Sequence, residues 1–573
     1  MDAGREKWGL ALSGGGFRAS FFHLGMLARL AEMGLLRRAE VISTVSGGSI
    51  LGALYYVHVK RLLEEKADGE ITDADYLQIL LRIEREFLAA VQGNIRMRTF
   101  LNPMKNIRMA FANYSRSDRI GELYDELLYR PVLAPGREAP IEMRELFIHP
   151  KGDRTDFYPR DHNPGRNAKA PILILNATTL NTGHNWRFEA SRMGEPPRGS
   201  RTAQEVDKNM RLRRPPSYND ITPRQQNIEL GLGVAASACV PGIFAPLAIS
   251  GLYDREIRVQ LVDGGVHDNQ GIQGLVDEKC THFIVSDASG QMLDEMDPPA
   301  GVLSVLMRSN DILMDRVREE ELFSLFEASD RSVAFVHLRK GLSAEAIAWV
   351  DKDGKPAAPP KTERVPGIPS GQFSVDPRVQ DRLSKIRTDL DSFTEIEACS
   401  LMLDGYLMSG PELSAAFSMP TPATSARWRF LGMRPWLSTP TAAYLKHLEV
   451  AKERLIKVFR LSWPITLVTA LAVFLIVWGI WYWLGASIRE GWESSISVKK
   501  LMVGTLVAAM GFIPRASRTF KLLAFLRSPS EFAVRLLLRG LVPAIGSVFV
   551  GIHLLIFDRL FLRLGEIRRL RSP

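Results

Sequence analysis

The chain has 573 residues, 46% apolar and 24% charged, which excludes a mostly disordered protein and is enough for two to four domains. Lys plus Arg number 73 and Asp plus Glu 64, a net charge of +9. From Leu461 onward there are 14 basic and 5 acidic residues, so residues 1–460 carry 59 of each sign; the basic excess belongs to the tail, which argues against a nucleic-acid-binding protein. The three cysteines, Cys239, Cys280 and Cys399, fit neither a disulfide framework nor a zinc pattern. The first residues hold Asp2, Arg5, Glu6 and Lys7 and no signal-peptide run, so the N-terminal part is expected to stay where it is made.

In chain order, Trp8–Leu12 reads as a buried strand that ends in a glycine-rich turn, and 18–33 as a helix closed by Gly34. A second strand, Val41–Val45, leads into a second helix over 48–59. Further buried-looking strands are expected at 172–175, 259–262 and 282–285. Strands alternating with helices indicate a layered α/β domain. The polar stretches 151–169 and 192–226 read as surface insertions, as does the Pro/Gly-rich stretch 352–372. Pro411, Pro420, Pro422, Pro435 and Pro440 read as a linker before the tail.

Three motifs fall at strand ends. Gly14, Gly15 and Gly16, followed by Arg18 and Ala19, form a turn whose N–H groups can hold a phosphate or a developing oxyanion. The same glycines fit a dinucleotide fingerprint, but the acidic residue that reading needs at the next strand end is replaced by Ser43, Thr44 and Ser46, and a Walker lysine is missing. Ser46, with Gly47 and Gly48 behind it, has the small neighbours of a nucleophile elbow, although Thr44 stands where the pattern G-x-S-x-G has its first glycine. Asp263 ends a buried strand and is followed by Gly264 and Gly265, so its carboxylate can act as a general base if it reaches the serine. Oxyanion cradle, nucleophile and base are the parts for acyl transfer, and a Ser–Asp dyad is expected because neither His267 nor His282 has a catalytic context.

In this order the three motifs resemble those of the patatin-like phospholipases. The stretch 176–183 with Phe188, and the stretch 235–246, resemble the same family. The resemblance covers about residues 7–290 and implies a three-layer α/β fold with a mainly parallel central sheet. It also implies hydrolysis of lipid esters, with Ser46 as nucleophile, Asp263 as base, and Gly14, Gly15, Gly16 and Arg18 at the oxyanion hole; Gly48, Gly264 and Gly265 support the motifs. No metal or cofactor is required. Two other readings stay open on the residues alone: a membrane-anchored lipid-binding or scaffolding protein with an inactive domain, and a nucleotide-binding enzyme.

Residues 461–488 contain no charge, and Trp463 and Trp481–Trp483 flank a run long enough to cross a bilayer. Further apolar stretches at 501–514 and 540–557, with a basic stretch over 515–539 between them, predict two or three crossings. Lys446, Lys452, Arg454, Lys457 and Arg460 place the N-terminal part in the cytoplasm. The expected organisation is a catalytic domain over 1–410, a linker and basic pre-membrane helix over 411–460, and a helical membrane region over 461–573. The protein is thus expected to be integral to the membrane (the inner membrane in a bacterium), with membrane lipid as substrate.

Overall fold

A computed structural model describes residues 5–572, apart from 110–113, 198–209, 291, 293, 343–346, 358–372, 423–425, 455–456 and 495–541. Most of the 352–372 stretch, the apolar stretch 501–514 and the basic stretch 515–539 therefore lie outside the described residues, as does part of the 192–226 insertion.

In chain order the elements that build the site are β1 (Trp8–Leu12), α1 (Gly16–Glu32), β2 (Ala39–Val45), α2 (Gly47–Glu65), β3 (Ile172–Thr179), β4 (Asn185–Phe188) and β5 (Met193–Gly194). There follow α3 (Leu230–Ser237), β6 (Leu247–Ser250), β7 (Arg258–Asp263), α4 (Ile272–Asp277), β8 (His282–Asp287), α5 (Val302–Glu327), β9 (Ser332–His337) and α6 (Glu395–Phe417). The strands form one sheet in the order β5-β4-β3-β2-β1-β8-β9, with β7 also paired to β3 and β6 paired to β7.

The central strands are apolar at successive positions because both faces of the sheet are covered. Leu10, Leu12, Ile42, Leu173, Leu175 and Ile284 join one core cluster, while the alternate residues Ala11, Val41, Ile174, Phe283 and Val285 join the other. The expectation of a mainly parallel sheet is corrected to a mixed one. The pairs β1–β2, β1–β8, β2–β3 and β8–β9 are parallel. The pairs β3–β4, β3–β7, β4–β5 and β6–β7 are antiparallel. Strands β4, β5 and β6 are short and follow turns, so they left little periodic signal.

One consequence of the mixed register positions the site. Strand β2 pairs with β3 as far as Val45 opposite Asn176. The next residue of β3, Ala177, pairs with Asp263 at the end of β7. Strands β2 and β7 therefore meet end to end alongside β3, and residue 46 leaves the sheet where residue 263 does.

The chain divides into two units, one of residues 1–99, 115–454 and 565–573, the other of 100–114 and 455–564. In the first, the stretch 411–454 contains the end of α6 and short helices that bury Phe430, Leu437, Tyr444 and Leu448. The second holds the helices Trp463–Ser494 and Val542–Ile552, with Asn106 Nδ2 donating to Ser547 Oγ at 3.0 Å. Among the described residues no helix is long and apolar enough to cross a membrane. Side chains of the helix that starts at Trp463 are described continuously only to Gly479, so Trp481 and Trp483, which set the length of the expected span, lie outside what is described. The expectation of an integral membrane protein with its catalytic part in the cytoplasm is withdrawn on that finding.

Candidate active site

Ser46 sits between β2 and α2 with φ 50° and ψ −116°, a conformation that L-residues adopt only under constraint. The surrounding hydrogen bonds supply that constraint. Its N–H donates to Ser237 Oγ at 3.0 Å, at the end of α3. Ser237 Oγ lies 2.8 Å from Ser49 Oγ, which lies 2.9 Å from Thr44 Oγ1. Thr44 Oγ1 in turn donates to the Ile174 carbonyl at 3.1 Å. The residue that breaks the elbow pattern thus belongs to the network that holds the elbow.

Its methyl fits because of one glycine. A Cβ at Gly52, in the second turn of α2, would lie 2.6 Å from Thr44 Cγ2. Gly52→Ala is expected to destabilise the protein by about 1–3 kcal/mol through overpacking. Thr44→Ser removes only the methyl and keeps the hydroxyl bonds, so it should largely relieve Gly52→Ala. A double-mutant cycle in urea should show a coupling of about 1 kcal/mol or more, and additive effects would disprove the pairing.

Asp263 is buried, and its Oδ1 accepts the Gly265 N–H at 2.8 Å. Burial pushes its carboxyl up to about 6, against the opposing effects of the Gly265 N–H and of a hydrogen bond from the Ser46 side chain. The structure thus brings Ser46 and Asp263 together. Gly48 packs against the Leu12 carbonyl and Gly264 against the Asn176 carbonyl, close approaches that leave no room for a Cβ.

The glycine turn lies beside Ser46: a Cβ on Gly14 would be 3.3 Å from Ser46 Cβ. Gly15 and Gly16 have φ of 132° and 58°, which glycine adopts without strain. Both stand at the start of α1, where N–H groups have no acceptor within the helix. Two of the expected oxyanion residues are placed differently. The Gly14 N–H donates to the Asn269 carbonyl at 2.9 Å, which removes it from the set of available donors. Arg18 is buried and directs its guanidinium at backbone carbonyls: Nη1 donates to Ser384 O at 2.8 Å and Ile386 O at 2.9 Å, and Nη2 to Ala288 O at 3.0 Å. Burial draws its pKa down to about 10, and nearby Asp287 opposes the shift. Arg18 is therefore a positioning residue that ties the start of α1 to two distant segments.

Sequence reasoning missed Ser237 and Asn269. The Asn269 side chain fills the space beside both Gly14 and Gly265, and its carbonyl holds Gly14, so it links the glycine turn to the turn that carries Asp263. Its place six residues after Asp263, within the same turn, was the available signal. Asp268 caps α4, with Oδ1 accepting from Gly271 N at 2.6 Å and Oδ2 from Gln273 N at 2.9 Å. The buried His23 has Nδ1 2.7 Å from Ser286 Oγ and Nε2 3.0 Å from the Ser13 carbonyl, and burial draws its pKa down to about 4. His282 stacks on Trp8, with ring centroids 4.4 Å apart.

Comparison with known proteins gives three findings. The family model described as Patatin-like phospholipase matches residues 10–276. No curated protein matches the chain. Among solved structures, the crystal structure of VipD from Legionella pneumophila is similar at 13% identity over 99% of this chain and 93% of that one, with a TM-score of 0.27, too low to bear on function.

Proposed function

Starting from the premise that residues 10–276 form a patatin-like phospholipase domain, we propose that the protein is a lipid acylhydrolase in which Ser46 is the nucleophile and Asp263 the general base. The observation that carries this reading is the placement of a serine held in a constrained turn and a buried carboxylate at the adjoining ends of β2 and β7. The Ser46 oxygen attacks the acyl carbonyl of a glycerophospholipid ester as its proton passes to Asp263. The Gly15 and Gly16 N–H groups stabilise the oxyanion, a contribution of about 3 kcal/mol for each donor aimed at it. Asp263 returns the proton to the departing alcohol. Water, deprotonated by the same carboxylate, then releases the fatty acid and restores Ser46.

A fluorophosphonate probe tests the nucleophile. It should label the peptide that contains Ser46, and the Ser46→Ala variant should stay unlabelled; labelling that survives the substitution sinks the assignment. The base predicts a pH limb. Asp263 must be ionised to accept the proton, and its pKa is raised to about 6. Activity is therefore present above pH 6 and lost below it. On a water-soluble ester, kcat/KM should fall about tenfold per pH unit in the acid range. A profile flat from pH 7 to 4.5 would remove Asp263 from the role.

A further inference from the structure

Strands β2, β1, β8 and β9 run parallel and end together: Thr44 pairs with Leu12, Leu12 with Ser286, and Asp287 with His337. Ser46 leaves the sheet on this carboxyl edge. Helix α5 crosses from β8 to β9 and is much longer than the strands it connects, 26 residues or about 39 Å against six residues or about 20 Å. Its C-terminal part lies on the sheet, with Leu325 buried among Phe283, Val285 and their neighbours. The charge of Arg318 acts on Asp287 and His337, the last residues of β8 and β9, so this part of the helix lies near the carboxyl edge. The turns from Val302 to Val317, about 24 Å of helix, extend past that edge.

The composition of the projecting turns is unlike that of an ordinary exposed helix. Val302, Leu303, Leu306, Met307, Ile312 and Leu313 are between 50% and 80% exposed. Over the projecting stretch 302–317 the charges balance, Arg308 and Arg316 against Asp311 and Asp315. Other exposed apolar residues leave the same edge: Met296 in the connection after β8, and Trp349 in the segment after β9. The projecting part is a convex, nearly neutral rod with apolar residues over most of its circumference. It forms no groove for a shaped partner and has no charge pattern that selects one. A fluid acyl layer needs neither shape nor charge and accepts such a surface. The part of α5 on the sheet lies beside the turn that follows Asp263: burial, together with the nearby Asp268 carboxylate, pushes the Glu321 carboxyl up to about 10.

We propose that residues 302–317 of α5 insert into the surface of a phospholipid bilayer and hold the Ser46 edge of the sheet against it. This inference rests on the acylhydrolase reading for its purpose but not for its test.

The test uses the full chain and phosphatidylcholine vesicles. All three native cysteines are buried, so Leu306→Cys can be labelled with an environment-sensitive fluorophore in a Ser46→Ala background that leaves the lipid intact. Vesicles should shift the emission to shorter wavelength, and raising the salt from 0.1 to 0.5 M should change the shift little, because insertion here owes little to charge. In the active protein, the combined variant Leu303→Asp, Leu306→Asp and Leu313→Asp should hydrolyse vesicle lipid at least tenfold more slowly and keep its rate on a monomeric short-chain ester. An unshifted label overturns the inference, as does undiminished vesicle hydrolysis by the aspartate variant, or a label that shifts only on self-association without vesicles. If the label shifts on vesicles while the wild type cleaves no ester, the docking surface stands and the hydrolase reading fails.

Discussion

Ser46→Ala and Asp263→Asn are each expected to lower kcat/KM for ester hydrolysis by on the order of 10⁴-fold, and the double variant to be little worse than either alone. On the proposed mechanism the two groups act on one proton: without the hydroxyl there is nothing to deprotonate, and without the carboxylate the hydroxyl is a poor nucleophile. Asparagine keeps the shape of Asp263 and can still accept from the Gly265 N–H, which Asp263 does at 2.8 Å, so its loss of activity would report proton transfer rather than collapse of the turn. Circular dichroism and thermal unfolding of each variant should match the parent. Multiplicative rather than shared losses would mean that the two residues work in separate steps. If Asp263→Asn stayed fully active while Ser46→Ala was dead, another group would be the base.

The second large effect is one of stability and lies away from the chemistry. Helices α1 and α6 cross with their backbones in contact: a Cβ at Gly25 would overlap the Met402 carbonyl, and one at Gly405 would overlap the Phe22 carbonyl. Backbone on both sides cannot rotate aside as a flexible side chain could. Gly25→Ala and Gly405→Ala should therefore each destabilise by about 3 kcal/mol or more, at the upper end of what overpacking does, read as a lower urea midpoint with an unchanged slope. Unaltered midpoints would disprove the close crossing. Because α6 lies beyond the matched span 10–276, the result also bears on where the catalytic unit ends. A chain cut after residue 290 would leave Phe17, Phe21 and Phe22 without part of their cover and is expected to unfold or aggregate.

The sequence revealed those parts whose cause is local. Buried strands covered on both faces show as apolar runs, and β1, β2, β3, β7 and β8 were all expected near their observed positions. Ser46 and Asp263 stood out as candidates because an elbow needs small neighbours and a strand-end carboxylate followed by two glycines is a distinct pattern, and the ends of β2 and β7 bring the two side by side. The place of Arg18 was not legible. Its partners are backbone carbonyls 270 and 366–368 residues away, and a carbonyl leaves no mark in the sequence. Gly14 misled for a related reason, since whether a glycine N–H is available depends on whether a distant oxygen, here that of Asn269, reaches it first. The prolines of 411–440 read as breaks, yet Pro411 lies inside α6 and Pro435 opens a helix. Neither position contradicts the physics, because a first-turn proline has no bond to lose and burial can outweigh a missing one.

On the acylhydrolase reading, the bonds of Arg18 also bear on when the protein can act. A protein that degrades membrane lipid is a hazard while it is still being made, and chains fold from the N-terminus as they leave the ribosome. Here Ser46 and the glycine turn emerge some 340 residues before the carbonyls of Ser384 and Ile386 that fix the helix behind that turn. The half-made chain thus carries Ser46 and the glycine turn before the carbonyls that hold Arg18 exist.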